Sequence, residues 1–382
     1  MPKASWRRVK FGDVVRLCKA RCADPLAEGV KKFVGLEHLE PGDLRIRRWG
    51  NVADGVTFTS VFKPGQVLFG KRRAYQRKVA VADFSGVCSG DIYVFESVDA
   101  NVMLPELLPF ICQTDAFFEH AVGTSAGSLS PRTNWTSLAG FEFVLPPIQE
   151  QRRFALLLRA QLEFIEAKQG ALSQIEICLK AARGQFLACG IKGDKPVQSG
   201  LPNGWRVSPL SELVEFLDSK RVPIKSADRT KRQGEYPYYG ASSVIDYIDD
   251  YIFDEDLILV GEDGANIVDR STPLAFKVSG KIWVNNHAHV LRVVAPNNID
   301  YLVDYLESIS YKPYVTGTAQ PKLNKAALGG IQIPVPPAEE QDMIASVYSR
   351  FHAGRDALLS ELESLGNLYR QSLRMVTEIE HV

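Results

Sequence analysis

Two segments of the chain place apolar residues at every seventh position. In the first, Leu158, Ile165, Leu172, Leu179 and Phe186 form the series, Phe154, Ile175 and Ala182 fill the complementary position, and Gln161 and Lys168 interrupt it. In the second, Ile344, Phe351, Leu358 and Leu365 form one series, and Tyr348, Leu362, Tyr369 and Val376 form most of the other, with Arg355 as the exception. Neither segment contains an internal proline. A seven-residue apolar period predicts a helix whose stripe is buried by a partner helix. At about 1.5 Å per residue, about 40 residues make a rod of roughly 60 Å, too long for one small domain to cover. The expected arrangement is two long helices packed on each other as an antiparallel pair; the alternative is that each is core to its own domain.

Shorter apolar alternations precede both helices. "FEFVLPP" from Phe141 and "IQIPVPP" from Ile331 each predict a strand running into a Pro-Pro helix entrance, and "LPPIQEQ" and "VPPAEEQ" begin 190 residues apart (335 minus 145). Upstream, "GTSAGSLSPRTNW" from Gly123 parallels "GTAQPKLNKAAL" from Gly317, and "WRRVKFGDVVRL" from Trp6 parallels "WRVSPLSELVEF" from Trp205. Landmarks recurring in one order indicate a tandem repeat of a globular module followed by a helix. The expected division is 1–145 and 205–335 for the modules, 146–190 and 336–382 for the helices, and 191–204 for a linker rich in Gly, Pro and Lys.

Composition changes this picture little. A length of 382 residues, 45% hydrophobic and 24% charged, suits two or more globular domains. A formal net charge of +0 means that any nucleic-acid binding must come from local patches. The six cysteines lack the spacing of a disulfide scaffold and read as reduced thiols, with Cys18 and Cys22 too isolated for a zinc site. No run of about 18 apolar residues suggests a membrane span. The reading expects a soluble, cytoplasmic protein without metal or other cofactor.

Chemistry concentrates in loops. In the first module Lys71, Arg72, Arg73, Arg77 and Lys78 surround Tyr75 between predicted strands, and Arg45, Arg47 and Arg48 add charge nearby. Such a cluster suits phosphates, guanine edges and base stacking, or is simply a solvated charge run. Ser130, Arg132, Thr133 and Asn134 are candidate phosphate or base-edge contacts, or a turn. The second module is acidic around "DYIDDYIFDEDLILVGEDGANIV" from Asp246, which reads as a buried strand flanked by solvated acids in preference to a nuclease site. There Gln320, Lys322, Asn324 and Lys325 occupy the loop corresponding to the first module's and offer amides and lysines to DNA. Lys281 is expected beside Lys322 and Lys325, with the acids facing away. His287 and His289 read as hydrogen-bonding residues; a third metal ligand is not evident. Phosphate-loop, amino-methyltransferase and nucleophile-elbow motifs are missing, so catalytic residues are not identified.

The stretches "KRRAYQRKVAVADFSGVCSGDI", "YYGASSVIDYIDDYIFDEDLILVGEDGAN", "KIWVNNHAHVLR" and "GTAQPKLNKAAL", with the two PP…EQ entrances, resemble the specificity subunits of type I restriction-modification systems over nearly the whole chain. That resemblance implies two mixed α/β target-recognition domains separated by two long helices in an antiparallel coiled coil, a pseudo-twofold internal repeat. It implies a noncatalytic subunit that recognises a bipartite, interrupted double-stranded DNA target. Its partners would be DNA methyltransferase (modification) subunits, docked on the helices and Pro-Pro entrances, and restriction subunits held through the complex. Other classes remain open at this point: a system whose partner fuses restriction and methylation, a self-sufficient DNA nuclease or methyltransferase, or a coiled-coil adaptor binding only proteins.

Overall fold

The computed structural model describes residues 6–190, 200–317 and 321–377. The chain divides into two units, Met1–Gly170 with Leu359–Val382, and Ala171–Leu358. The 191–199 part of the expected linker lies outside the described residues.

The first unit contains strands β1 (Arg7–Lys10), β2 (Val15–Leu17), β3 (Lys32–Val34), β4 (Gly50–Asn51), β5 (Ser60–Phe62), β6 (Val67–Gly70), β7 (Val79–Val81), β8 (Gly86–Cys88), β9 (Ile92–Ser97) and β10 (Glu142–Leu145). They form a β1-β10 pair and two four-stranded sheets ordered β2-β9-β6-β7 and β4-β3-β8-β5. The pair is antiparallel, with Arg7 opposite Leu145 and Lys10 opposite Glu142. Phe11 starts a one-turn helix, Phe11–Val14, and is fully buried against the rings of Phe95, Phe117 and Trp135. Gly12 is required beside it, because a Cβ there would lie 2.7 Å from the Cβ of Ala139.

The second unit repeats this plan with β11 (Arg206–Pro209), β12 (Val214–Phe216), β13 (Gln233–Tyr239), β14 (Val244–Ile248), β15 (Phe253–Asp254), β16 (Leu257–Gly261), β17 (Ala275–Val278), β18 (Lys281–Val284), β19 (Ala288–Val293) and β20 (Gln332–Val335). The β11-β20 pair and the sheets β12-β19-β16-β17 and β14-β13-β18-β15 match their counterparts strand for strand. Continuous apolar runs mark the strands buried on both faces, Leu257–Gly261 above all. The architecture is mixed α/β, with two sheet-containing modules separated in sequence by a long helix.

The long helices span Ile148–Cys189 and Ala338–Thr377. Acidic residues sit in each first turn, Glu150 in one and Glu339 and Glu340 in the other, where they complement the positive end of the helix dipole. Gly190, at φ 65°, ends the first helix in the left-handed conformation suited to glycine. Every predicted seam position is buried or half-buried. The polar interruptions find polar partners across the seam of the first unit: Gln161 Nε2 donates to Ser372 Oγ at 3.0 Å and Lys168 Nζ lies 2.5 Å from Glu361 Oε2. Those pairings run antiparallel. In the second unit Phe186 packs against Tyr348 at 5.7 Å between ring centroids, again antiparallel.

The repeated PP…EQ motif is a clamp that faces inward. Gln151, buried, donates from Nε2 to the carbonyls of Pro146 (2.8 Å) and Val102 (2.9 Å) and accepts from Leu104 N (2.8 Å). Gln341, equally buried, donates to Pro336 O (2.9 Å) and accepts from Asn298 N (2.8 Å). Pro146 and Pro336 are buried too, so the motif joins each module to its helix. The repeated tryptophans serve the same joint: Trp6 packs edge-on against Phe154, and Trp205 Nε1 donates to Glu340 Oε2 at 3.1 Å.

The second unit has a further joint. Asp304, on the helix Ile299–Ser308, is 5% exposed and accepts from Arg183 Nε (2.9 Å), Arg183 Nη2 (2.5 Å) and His352 Nε2 (2.8 Å). Burial by itself would raise the Asp304 carboxyl, but the bonds from His352 and Arg183 outweigh it and hold it below the ordinary 3.8. A depressed folded value stabilises the fold above the unfolded value and loses that contribution as pH falls through the folded one. Asp304→Asn should therefore be less stable than the parent at neutral pH, with the difference vanishing in strong acid; urea unfolding at pH 7 and at successively lower pH measures it.

Candidate nucleic-acid interface

In the first unit the basic loop leaves β6 and re-enters β7. It turns through a single 3-10 turn, Ala74–Gln76, flanked by Arg73 (φ 53°) and Arg77 (φ 55°), both left-handed although neither is glycine. Paired strain of this kind persists only where neighbouring structure holds it. Here the 130–134 segment does so: Arg73 N donates to Pro131 O (2.7 Å), Thr133 N to Lys71 O (3.0 Å), and Arg72 Nε to Ser130 Oγ (2.5 Å). Asp91 ties the two segments together, taking Arg132 Nε at 2.8 Å and Arg72 Nη1 at 3.2 Å. Burial would raise that carboxyl, and the bonds from Arg132 and Arg72 hold it below its usual range.

The predicted residues thus divide by role. Arg77 Nη2 is bonded to Asp115 Oδ1 (2.6 Å) and Gln113 O (3.2 Å), and Lys78 Nζ to Leu36 O (2.7 Å). Lys71 lies 4.6 Å over the Tyr93 ring, where burial lowers its pKa. Asn134 accepts from Ser137 N (2.9 Å) and caps the helix Trp135–Ala139. Arg73 is exposed, Tyr75 is 55% exposed, and the Arg132 side chain is half exposed. The side chains of these three face solvent, with no hydrogen bond to the described residues other than that of Arg132 to Asp91. Arg45 and Arg47 instead bond to Glu166 of the long helix.

The second unit builds the same crossing from different residues. Gly264 N donates to Pro321 O (3.2 Å) as Arg73 N does to Pro131 O; Leu323 N donates to Glu262 O (2.9 Å) as Thr133 N does to Lys71 O. Glu262 N bonds His287 O (2.8 Å) where Lys71 N bonds Asp91 O (2.9 Å). Asp263 therefore occupies the place of Arg72, His287 that of Asp91, and Lys322 that of Arg132. The side chains differ: Asp263 accepts from His287 Nδ1 at 2.9 Å, while Lys322 keeps the sign of Arg132 and its Nζ lies 3.3 Å from Oε1 of Glu262, a carboxylate that also takes Arg221 Nη1 at 2.8 Å through its other oxygen. The acids around Lys322 face it, contrary to the expectation that they turn away. Lys325 lies 5.1 Å over the Phe216 ring, and Asn324 caps the helix Lys325–Gly329 by accepting from Ala327 N (2.9 Å). Gln320 falls outside the described residues. Asp263 and His287, both partly exposed, were not singled out as a pair by sequence, because neither strand-end residue is near the other in the chain.

A second set of groups lies on the other sheet of each unit. Lys281 Nζ sits 4.8 Å over Tyr251 and 5.8 Å over Tyr236, away from the loop crossing that holds Lys322. In the first unit a different strand of the corresponding sheet carries a cation over rings, with Lys32 Nζ at 3.7 Å over Trp49 and 4.3 Å over Phe84, and this group carried no sequence signal, since it assembles from three distant segments. His289 is a buried structural histidine, with Nδ1 at Asp218 Oδ2 (2.6 Å) and Nε2 at Leu323 O (2.8 Å). Burial beside Glu96 pushes the Cys18 thiol up to about 11, the reverse of what a metal thiolate needs. Among the described residues no group of three or more His, Cys, Asp or Glu could hold a metal, and no helix is long and apolar enough to cross a membrane.

Similarity to known proteins accords with this geometry. The family model for the type I restriction modification DNA specificity domain matches residues 202–364. A Haemophilus influenzae protein described as a type I restriction enzyme specificity subunit is 36% identical over 140 residues, 36% of this chain and 35% of its own length. The EcoDI specificity subunit of Escherichia coli is 29% identical over 204 residues, 48% of this chain and 43% of its own. The matched stretches thus span less than half the length of these curated relatives. A type I restriction-modification S subunit from M. genitalium shares the fold, with TM-score 0.69 at 14% identity, covering 98% of this chain and 97% of the other. A chain from a structure of type I R-M complex assembly and conformational transition aligns with TM-score 0.57 at 18% identity, over 98% of this chain and 97% of that one. With a matched specificity domain over residues 202–364, specificity subunits as relatives and a shared fold, the chain is similar to the specificity subunits of type I restriction-modification systems.

Proposed function

We propose that this chain is the noncatalytic DNA-reading subunit of a restriction-modification complex, each unit reading one half of an interrupted double-stranded target. The observation that carries the reading is the loop crossing built twice on one backbone plan, with Asp263 and His287 standing where Arg72 and Asp91 stand. One plan places both readers alike on DNA; different side chains make them read different half-sites. In the first unit, Arg73 and Arg132 offer donors suited to phosphates and guanine edges, and Tyr75 offers a ring for stacking. In the second, Asp263 offers an acceptor suited to the amino group of cytosine, beside the cations Lys322 and Lys325. The paired helices act as the spacer that sets the gap, and their outer faces, where Leu156, Phe164 and Ile177 are exposed, receive the methyltransferase subunits. Methylation and cleavage then belong to those partners and to the restriction subunits.

The direct test is a methylation map of cells carrying this chain with its partner methyltransferase: it should show a two-part target with an untouched gap. A continuous or palindromic target would overturn the proposal. Three substitutions sharpen it. Arg73→Ala with Arg132→Ala should weaken DNA binding and lower the slope of log affinity against log salt by about 0.9 for each phosphate no longer neutralised. Asp263→Asn should alter base preference at one position of one half-site and leave the other half and the gap unchanged, as read by binding selection on randomised duplexes. Inserting seven residues at matched points of both helices preserves the seam and adds about 10 Å, so the gap should lengthen by about three base pairs.

A further inference from the structure

The Asp304 joint has a counterpart in the first unit that is chemically opposite. The two glutamine clamps set the equivalence: Gln151 and Gln341 lie 190 apart (341 minus 151), and the amides they receive, Leu104 and Asn298, lie 194 apart (298 minus 104). Carried along each helix, those offsets place Phe110 at the position of Asp304, Leu162 at that of His352, and Leu373 at that of Arg183. Phe110 (4% exposed) and Leu373 (8%) belong to one buried apolar cluster, with Leu162 packed against it. One unit therefore closes the joint between its module and the helix pair with three apolar side chains. The other closes it with a carboxylate, a guanidinium and an imidazole.

We infer that this difference is a recognition device that makes the two long helices of one chain pair with each other and not with the same helix of a second copy. The need for such a device follows from the duplication: modules and seams so alike would fit nearly as well in pairs formed between copies. If the first helix paired antiparallel with its own copy, each joint would bring Phe110 and Leu162 against Arg183, a guanidinium stranded in apolar surroundings. If the second helix paired with its copy, Asp304 and His352 would meet Leu373, and the carboxylate would be left without its two arginine bonds. Only the pairing of first with second helix gives one apolar joint and one in which the Asp304 carboxylate keeps both its Arg183 bonds and its His352 bond. Removing one partner from a buried ionic group is strongly unfavourable, whereas a complete ionic set and a complete apolar set are of similar worth. The discrimination thus resides in the mismatch, as it does for buried polar residues that fix partner choice in coiled coils. It does not depend on what the loops bind.

The test uses the full chain carrying two different affinity tags, co-expressed and purified through both, with the mass of the doubly tagged species measured by light scattering. Two uniform variants remove the mismatch: Arg183→Leu, Asp304→Phe and His352→Leu together make both joints apolar, and Phe110→Asp, Leu162→His and Leu373→Arg together make both ionic. Each should raise the doubly tagged fraction by roughly tenfold or more over the parent. Exchanging the two sets in full restores the mismatch and should return the fraction to the parent's value, a rescue that general destabilisation would not produce. Arg183→Leu alone, the mildest change, should raise mixing through the first helix and covers the case in which a triple variant does not fold. Folded variants, by circular dichroism, that mix no more than the parent would overturn the inference, as would an exchanged variant that mixes as freely as the uniform ones.

Discussion

An apolar stripe on a helix of about 40 residues must be covered, because leaving it in water forfeits roughly 25 cal/mol for each square ångström. Each unit meets this requirement in the same way, by pairing part of one long helix with part of the other and seating a module against them. The long helices share the largest core cluster of each unit: Leu158 and Leu373 lie in the first unit's, and Leu179 and Ile344 in the second's. Gln151 and Gln341 make that sharing specific, since each satisfies main-chain groups of both the helix entrance and the module at a buried point where water could not replace it.

With the modules held in this way, the loop crossing at the ends of β6 and β9, or β16 and β19, is free to vary. Its main-chain bonds persist in both units although Arg72 is replaced by Asp263 and Asp91 by His287. A scaffold bonded through the backbone tolerates any side chain that can find a local hydrogen-bond partner, and both versions do: Arg72 and Arg132 on Asp91, Asp263 on His287. This separation of plan from chemistry lets a chain of zero formal charge present Arg72 with Arg132 in one unit and Asp263 with Lys322 in the other.

Much of this was legible along the chain. The seven-residue period identified both helices, and every position it named is buried or half-buried, because a side chain's place on a helix follows from its number alone. The repeated Trp, strand and Pro-Pro landmarks revealed the duplication for the same reason: they are local patterns. Tyr75, Arg73 and Arg132 were recognisable as candidates from their clustering. What lay beyond reach were roles set by contacts across the fold. Nothing local distinguishes the capping Asn134 and Asn324 from base-reading amides, or the bonded Arg77 and Lys78 from free cations. The Asp263–His287 pair and the Lys32–Trp49–Phe84 group join residues from separate strands.

The sequence by itself therefore determined the periodic elements, their order and their doubling, since these depend on spacing and on which residues avoid water. Only the tertiary structure decided which polar side chains are spent on the fold and which face solvent, because a hydrogen bond or buried ion pair is a relation between distant positions. Asp304 states the difference most simply: in sequence it is one acid in an amphipathic helix, and only Arg183 and His352, brought to it by the folding of both long helices, make it part of a joint.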